Sequence, residues 1–281
     1  MPVITIGYDS SRRSDAKQLM RKYKNAPIEE AMCEFSFGVS NPNVQWDLTL
    51  PGRIAQHPKI AHIYNGPSQQ QQVNQLFATS GSAFQPGAPS MTFATGLLRV
   101  LIPTGDGKAV LGVGANTVSI SSLRPYEGWD RFKPRIQTAL NAYSETAKQD
   151  SISRVVIKYI NRIVAPSPGA DSVAEYLLDV APTHRAKRET EKKAFTAKLS
   201  GYQYRKEYHI DDGVKIFVTQ ATLQPSDPET SEFLLDLEVL WEAHTISLEQ
   251  AMVKVEHLHA TEGAIFESFL TDKARKLFDE A

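Results

Sequence analysis

The sequence predicts an α+β fold in which antiparallel sheet is covered by long helices. Three observations predict it. Apolar and polar residues alternate with period two in many short runs, the pattern of half-buried strands. Turn signals such as Thr104-Gly-Asp-Gly107 and Asp211-Asp212-Gly213 separate neighbouring runs, which suits hairpins and antiparallel pairing. Two longer stretches, 126–148 and 247–269, instead place apolar residues at three- and four-residue steps, the helical period.

Taken in order, Ile28–Val39 carries Ala31, Cys33, Phe35 and Phe37 at odd positions against Glu34 and Ser36, a strand. Val44 to Ile54 is broken by Pro51-Gly52 and reads as a weak helix or loop. Ser68–Gln75 is Gln-rich and Ser80–Ser90 is rich in Gly, Pro and Ser; both read as connection or strand edge. Thr92–Pro103 and Ala109–Ser121 are expected as two strands. Tyr126–Lys148 is expected as a helix with Trp129, Phe132, Ile136 and Tyr143 inward. Pro134 should kink that helix or move its start to Phe132. Ile152–Val164 has apolar residues on both faces and reads as a central strand, closed by Pro166-Ser-Pro168. Asp171 or Ser172 caps a short helix through Tyr176. Phe195–His209, Val214–Leu223 and Glu232–Glu242 are strands. Ser247 caps the second long helix, with Glu249 and Gln250 in its first turns, and Thr271 caps a final short one.

The order of elements repeats. Residues 26–150 and 151–281 each run from a strand through several strands to a long helix, behind a basic leader at 1–25. Two tandem sheet-plus-helix units of this kind make a helix-grip or TATA-binding-protein-like plan, in which the two sheets can join edge to edge as one continuous curved sheet. An antiparallel sheet with one apolar face needs a cover, and an amphipathic helix supplies it.

Composition narrows the function classes. The 281 residues are 41% hydrophobic and 22% charged, too apolar for a disordered chain. Thirty-one Lys and Arg balance 32 Asp and Glu, so any nucleic-acid contact needs a local basic patch. A lone cysteine, Cys33, gives neither an internal disulfide nor a Cys-based zinc site. No apolar run reaches membrane-spanning length and no export signal opens the chain, so the expectation is a cytoplasmic protein without membrane contact.

Several short motifs resemble a known family. Pro27-Ile-Glu-Glu-Ala31 followed by Glu34 and Phe37 resembles the N-terminal signature of a sporadically distributed bacterial family of uncharacterised proteins, whose hallmark is a Pro-Ile-x-Glu-Ala strand start. The resemblance continues at Tyr126-x-Gly-Trp-Asp-x-Phe132, Arg154-Val-Val-Ile-Lys-Tyr-Ile-Asn-Arg162, Leu235-Asp236-Leu237, Leu258-His259 and Phe269-Leu270-Thr271, in order over most of 26–281. Lys158 departs from it, where a small or apolar residue is expected. The resemblance implies an accessory component of a bacterial defence or mobile-island system, and it implies no reaction.

The residues themselves offer few catalytic constellations. Gly112-Val-Gly114 follows a strand, but Thr117 breaks the dinucleotide fingerprint. No phosphate loop and no Gly-x-Ser-x-Gly elbow occur. Cys33 alternates inward and reads as a small core residue. His257 and His259 lie roughly 200° apart on a helix and cannot chelate one metal together. His259 with Glu262, and His209 with Asp211 and Asp212, are the candidates for a hydrolase site.

The stronger signal is for binding. Arg154, Lys158 and Arg162 share one strand face, set to lie away from the covering helices. Tyr202, Tyr204 and Tyr208 share a face of another strand, with Arg205 and Lys206 between them. Asn161 falls on the apolar face of its strand and needs a partner there, a loop or a ligand. Glu29 and Glu30 are expected to form an ion pair or a backbone cap near the basic strand, and Asp236 and Glu238 offer the acidic complement to its cations that a second copy would need. The reading is therefore a non-catalytic binding protein, with another protein or a second copy of itself as partner and no cofactor. Nucleic acid held on the basic face is the alternative, and a His/carboxylate hydrolase the second.

Overall fold

The structure is a computed structural model that describes residues 21–38, 47–66, 69–73, 97–166, 169, 172–178, 201–210 and 212–279. Most of the basic leader, the Ser80–Ser90 segment, Asp171, His184–Lys193 and the start of the Phe195–His209 strand lie outside the described residues. The strands are β1 (Ile28–Phe37), β2 (Gln69–Val73), β3 (Leu97–Pro103), β4 (Ala109–Val113), β5 (Thr117–Leu123), β6 (Ile152–Ala165), β7 (Gln203–Ile210), β8 (Val214–Leu223) and β9 (Ser231–Ile246). The helices are α1 (Leu50–Ala55), α2 (Pro58–Ala61), α3 (Trp129–Ala147), α4 (Val173–Tyr176), α5 (Leu248–Phe269) and α6 (Asp272–Asp279).

The strands hydrogen-bond in the order β2-β3-β4-β5-β1-β6-β9-β8-β7, so the fold is α+β with an open sheet. The pairs β2–β3, β3–β4, β4–β5, β7–β8 and β8–β9 are antiparallel. So is β1–β6, because Gly38 N–H donates to Ser151 O and Arg162 N–H donates to Pro27 O, each at 2.8 Å. Contacts divide the chain into two compact units, each discontinuous in sequence. The first is Met1–Ala31, Val156–Glu242 and Val253–Ala281; the second is Met32–Val155 and Ala243–Met252.

In the second unit α3 packs on β5. Phe132, Ile136, Leu140 and Tyr143 are fully buried, as their three- and four-residue spacing requires. The Tyr143 ring stacks on Phe37 at 4.7 Å, and its hydroxyl donates to Ala115 O at 2.8 Å. Pro134 does not delay the helix, which begins at Trp129. A proline this near the N-terminus removes a single backbone bond, the one that position 134 would have donated to Asp130 O.

The expected strand Ala109–Ser121 is a hairpin instead. Gly114 N–H donates to Thr117 O at 2.8 Å, and Val113 lies opposite Val118. The sequence does carry the signal: the inward residues are odd before the turn (Leu111, Val113) and even after it (Val118, Ile120). An unbroken strand cannot change parity.

In the first unit α5 meets β6 and β9, His259 against Tyr159 and the Lys254 ammonium 5.1 Å from the Trp241 ring. Val255 and Leu258 are fully buried on the helix, and Phe233, Leu235, Leu237, Val239 and Trp241 are fully buried on β9. The caps expected at Ser247 and Thr271 are present, whereas Ser172 before α4 makes no side-chain cap and its hydroxyl donates to Gly169 O at 2.8 Å instead. Gln250 N–H donates to Ser247 Oγ at 3.3 Å while Ser247 N–H donates to Gln250 Oε1 at 3.0 Å, a capping box. Ala274 N–H donates to Thr271 Oγ1 at 3.3 Å. The end of the leader is tied down here: Tyr23 donates to Glu267 at 2.7 Å and Arg21 pairs with Asp279. No helix among the described residues is long and apolar enough to cross a membrane.

Phe132 is fully buried and meets Trp129 and Tyr126 edge-on at 6.2 and 6.1 Å. Phe132→Ala is expected to cost about 3–5 kcal/mol in chemical denaturation. A loss below about 1 kcal/mol would mean that the site collapses around the cavity or that the ring is not the packing centre of α3.

Candidate functional site

β6 carries the residues of interest on two opposite faces. Val155, Ile157, Tyr159, Asn161 and Ile163 are buried, while Arg154, Lys158 and Arg162 are part-exposed on the other side. The alternation expected from the sequence therefore holds.

The cations do not form an open row; each is tied to a carboxylate of a neighbouring strand. In the second unit Arg154 donates to Glu34 Oε1 at 3.0 Å, and Arg99 donates to Glu34 Oε2 at 2.6 Å and to Ser119 at 3.2 Å. Gly112 sits beside this group because a Cβ there would run into Ser119 Oγ and the Arg99 stem. In the first unit Lys158 Nζ lies 3.1 Å from Asp236 and 4.0 Å from Glu238. Arg162 directs Nε and Nη2 to Glu232 Oε2 at 2.7 and 2.6 Å. The other Glu232 oxygen accepts from the N–H and hydroxyl of Ser226 at 2.9 and 2.8 Å. Burial pushes the Glu232 carboxyl up, but the Ser226 donors and the Arg162 guanidinium outweigh it and hold it below its ordinary range.

The stations differ in how completely they are sealed. Glu34 and Glu232 use both oxygens. Asp236 is 4% exposed, and its Oδ1 is buried with no hydrogen-bond partner. The Lys158 ammonium thus lies within reach of two carboxylates, nearer to that of Asp236. Asp236 faces Thr219 and Glu238 faces Phe217 across the β8–β9 pair, and the Arg205 guanidinium lies 4.4 Å above the Phe217 ring. This face of the first unit is a mixture of ion pairs and half-buried apolar groups.

The remaining expected binding residues lie on the opposite face. Tyr204 pairs with Gln220, which pairs with Leu235, and Asn161 Nδ2 donates to Leu235 O at 3.1 Å. Tyr202 and Tyr204 stack at 6.0 Å, and the Lys206 ammonium sits 5.1 Å from the Tyr204 ring. Lys206 shares the tyrosine face and Arg205 does not, since neighbours on a strand point to opposite sides. The structure thus separates Arg154, Lys158 and Arg162 from Asn161, Tyr202 and Tyr204. Asn161 is 1% exposed and spends its amide on the fold. Burial pushes the Tyr202 hydroxyl up.

The candidate hydrolase residues take up interior or surface positions. Cys33 is fully buried, and burial pushes its thiol well above the ordinary value, away from a reactive thiolate. His209 meets Glu207 at 2.8 Å on the exposed β7 edge. His259 is buried on the inner side of α5, with Nδ1 3.2 Å from the Tyr159 hydroxyl and its ring stacked on the tyrosine at 5.8 Å. Burial lowers its pKa from 6.5 to about 4 and raises that of Glu262 from 4.5 to about 8. Among the described residues no group of three or more His, Cys, Asp or Glu side chains is placed to hold a metal ion.

Sequence reading missed Glu34, Arg99 and Glu232 as ion-pair partners. Parity could have decided this, because Glu34 alternates outward from buried Cys33 and Phe35. No family model matches the chain, and no curated protein matches it.

The buried pair of titratable groups gives a pH signature. The native state keeps a proton on Glu262 that the unfolded chain releases above pH 4.5, so its stabilising share is lost as pH rises towards 8. His259 acts in reverse: the unfolded chain takes up a proton below 6.5 that the native state refuses until about 4, so stability falls as pH drops through that window. The two slopes oppose each other between 4.5 and 6.5. Above 6.5 Glu262 acts alone, costing about 2 kcal/mol by pH 8 at about 1.4 kcal/mol per unit. Denaturation midpoints should fall from pH 6.5 to 8, and Glu262→Gln should abolish that fall; an unchanged fall in the variant would place the titrating group elsewhere.

Proposed function

We propose that this chain is a non-catalytic interaction protein whose partner is another protein, met on the ladder face of the sheet. The observation that carries the reading is the charge state of that face. Each of Arg154, Lys158 and Arg162 is neutralised within the chain. In the first unit Lys158 and Arg162 face three carboxylates, those of Glu232, Asp236 and Glu238. A phosphate backbone gains affinity by releasing its counterions to free cations, and paired cations supply little of that. A protein surface, apolar between its charges, matches half-buried Phe217 and the ion pairs around it.

The placement of the candidate nucleophile and bases supports the same reading. Cys33 and His259 are enclosed, and His259 is neutral and stacked on Tyr159. The family resemblance adds a setting, an accessory component of a bacterial defence or mobile-island system. The tandem helix-grip or TATA-binding-protein-like plan belongs to this proposal too, supported by the order of elements: β5 leads into α3 as β9 leads into α5.

Phe217 is the reporter for the test, since a benzoylphenylalanine there keeps the ring and adds a photoreactive carbonyl. Irradiation in cells that make the chain natively should give a protein adduct of defined mass. The same probe at Val253, 66% exposed on α5, should give none. Nuclease-sensitive adducts at Phe217 would transfer the reading to nucleic acid, and equal labelling from both positions would end it.

A further inference from the structure

Among the described residues the strand order ends at β7, which pairs with β8 on one side and with no described strand on the other. The ladder decides which residues look outward from that edge. Thr222 N–H donates to Tyr202 O at 2.9 Å, directly across the β7–β8 register. In an antiparallel ladder this role recurs at every second residue. The even residues of β7 therefore turn their N–H and C=O groups towards β8. Those of Gln203, Arg205, Glu207 and His209 point along the open edge.

Edges of this kind are usually blunted by proline, a bulge or shortness. β7 has eight residues, no proline, and a register unbroken from Gln203–Ala221 to Ile210–Val214. Its one blunting charge on the helix side is Lys206, whose ammonium leans on the Tyr204 ring.

We propose that the β7 edge is a self-association surface, on which a second copy of this chain pairs antiparallel about a twofold axis at Lys206. The axis position follows from geometry and charge. A twofold axis is self-complementary, so residues equally far from it on the two copies face each other. Outward groups on odd residues must meet odd residues, so the axis passes through a residue position. An axis at Arg205 or at Glu207 sets that charge against itself. An axis at Lys206 sets Arg205 against Glu207 of the second copy, twice. It also pairs Tyr204 with Tyr208 of the second copy and Gln203 with His209 of the second copy. Opposite charges and aromatic pairs directly across a ladder are favourable, and the facing Lys206 residues are the single like-charge cost. Glu207 and His209 are 47% and 65% exposed in their side chains, so their present contact is open to exchange. Arg205 and Glu207 point to the ladder face beside Phe217, but the readouts differ, oligomeric state here and an adduct at Phe217 there, so either reading can fail without the other.

Sedimentation velocity across a wide concentration range should show a monomer–dimer equilibrium. Arg205→Glu and Glu207→Arg should each weaken it about tenfold or more, since two attractive pairs become repulsive. The double swap R205E/E207R should restore it. Thermal melts of the single variants separate lost pairing from lost folding. The register has its own readout. Lys206→Cys should cross-link to itself under dioxygen, because non-hydrogen-bonded partners approach most closely, at about 4.5 Å between Cα atoms. Cys33 is fully buried and stays silent. Arg205→Cys should not cross-link. A wild-type monomer at every concentration, single variants that dimerise like wild type, a double swap no better than the singles, or equal cross-linking at both positions would overturn the proposal.

Discussion

A cation in the middle of a sheet must find a carboxylate on an adjacent strand, because desolvating it alone costs several kcal/mol. β6 carries Arg154, Lys158 and Arg162, and the chain supplies Glu34 from β1 and Glu232, Asp236 and Glu238 from β9. This matching constrains the pairing around β6. A one-residue slip of β9 would swing its three carboxylates beneath α5 and expose Phe233, Leu235 and Leu237 on the ladder face. The penalty would be paid twice, in stranded charge and in lost apolar burial. The ion pairs act less as net stabilisers than as a register key, since well-packed apolar residues could replace them at similar stability.

The opposite face shows the same rule with neutral groups. α5 lies over an apolar layer interrupted by Tyr159, Asn161, His259 and Glu262. Asn161 is satisfied by the Leu235 carbonyl and Tyr159 by His259. Glu262 takes the remaining route open to a buried acid, which is to keep its proton at neutral pH. Uncharged forms of His259 and Glu262 let the helix sit on the sheet without a buried ion. The fold thus separates its charge: paired ions on one face of β6, neutral polar groups on the other.

Local pattern made much of this legible. The two faces of β6, the two long helices and the caps at Ser247 and Thr271 all rest on neighbours within a few residues. Pairing between distant segments was not legible in the same way. Glu34 meets Arg154 120 positions away, and nothing local marks β1 as the neighbour of β6. The tyrosines of β7 and the cations of β6 both read as exposed binding groups. Only the registers through β8 and β9 reveal that they occupy opposite faces. The β4–β5 hairpin is the intermediate case, where the parity change at Gly114 is written in the sequence and alternation alone conceals it.

The stations of the ladder also differ in what could displace them. Arg162 holds Glu232 through two donors, and Ser226 holds the other oxygen, so removing either partner strands a buried group. Arg154 and Arg99 hold one oxygen each of Glu34, so removing either leaves the carboxylate with the other. Lys158 is the least committed: a point charge on a flexible stem, serving two acids, with Asp236 Oδ1 still unbonded. An anion arriving at Lys158 would meet two carboxylates already in place. Asp236 Oδ1 is itself buried, so its missing donor is a cost carried inside the sheet. The three cations of β6, which suggest an open basic row when read alone, are therefore each held inside the sheet by a carboxylate of β1 or β9.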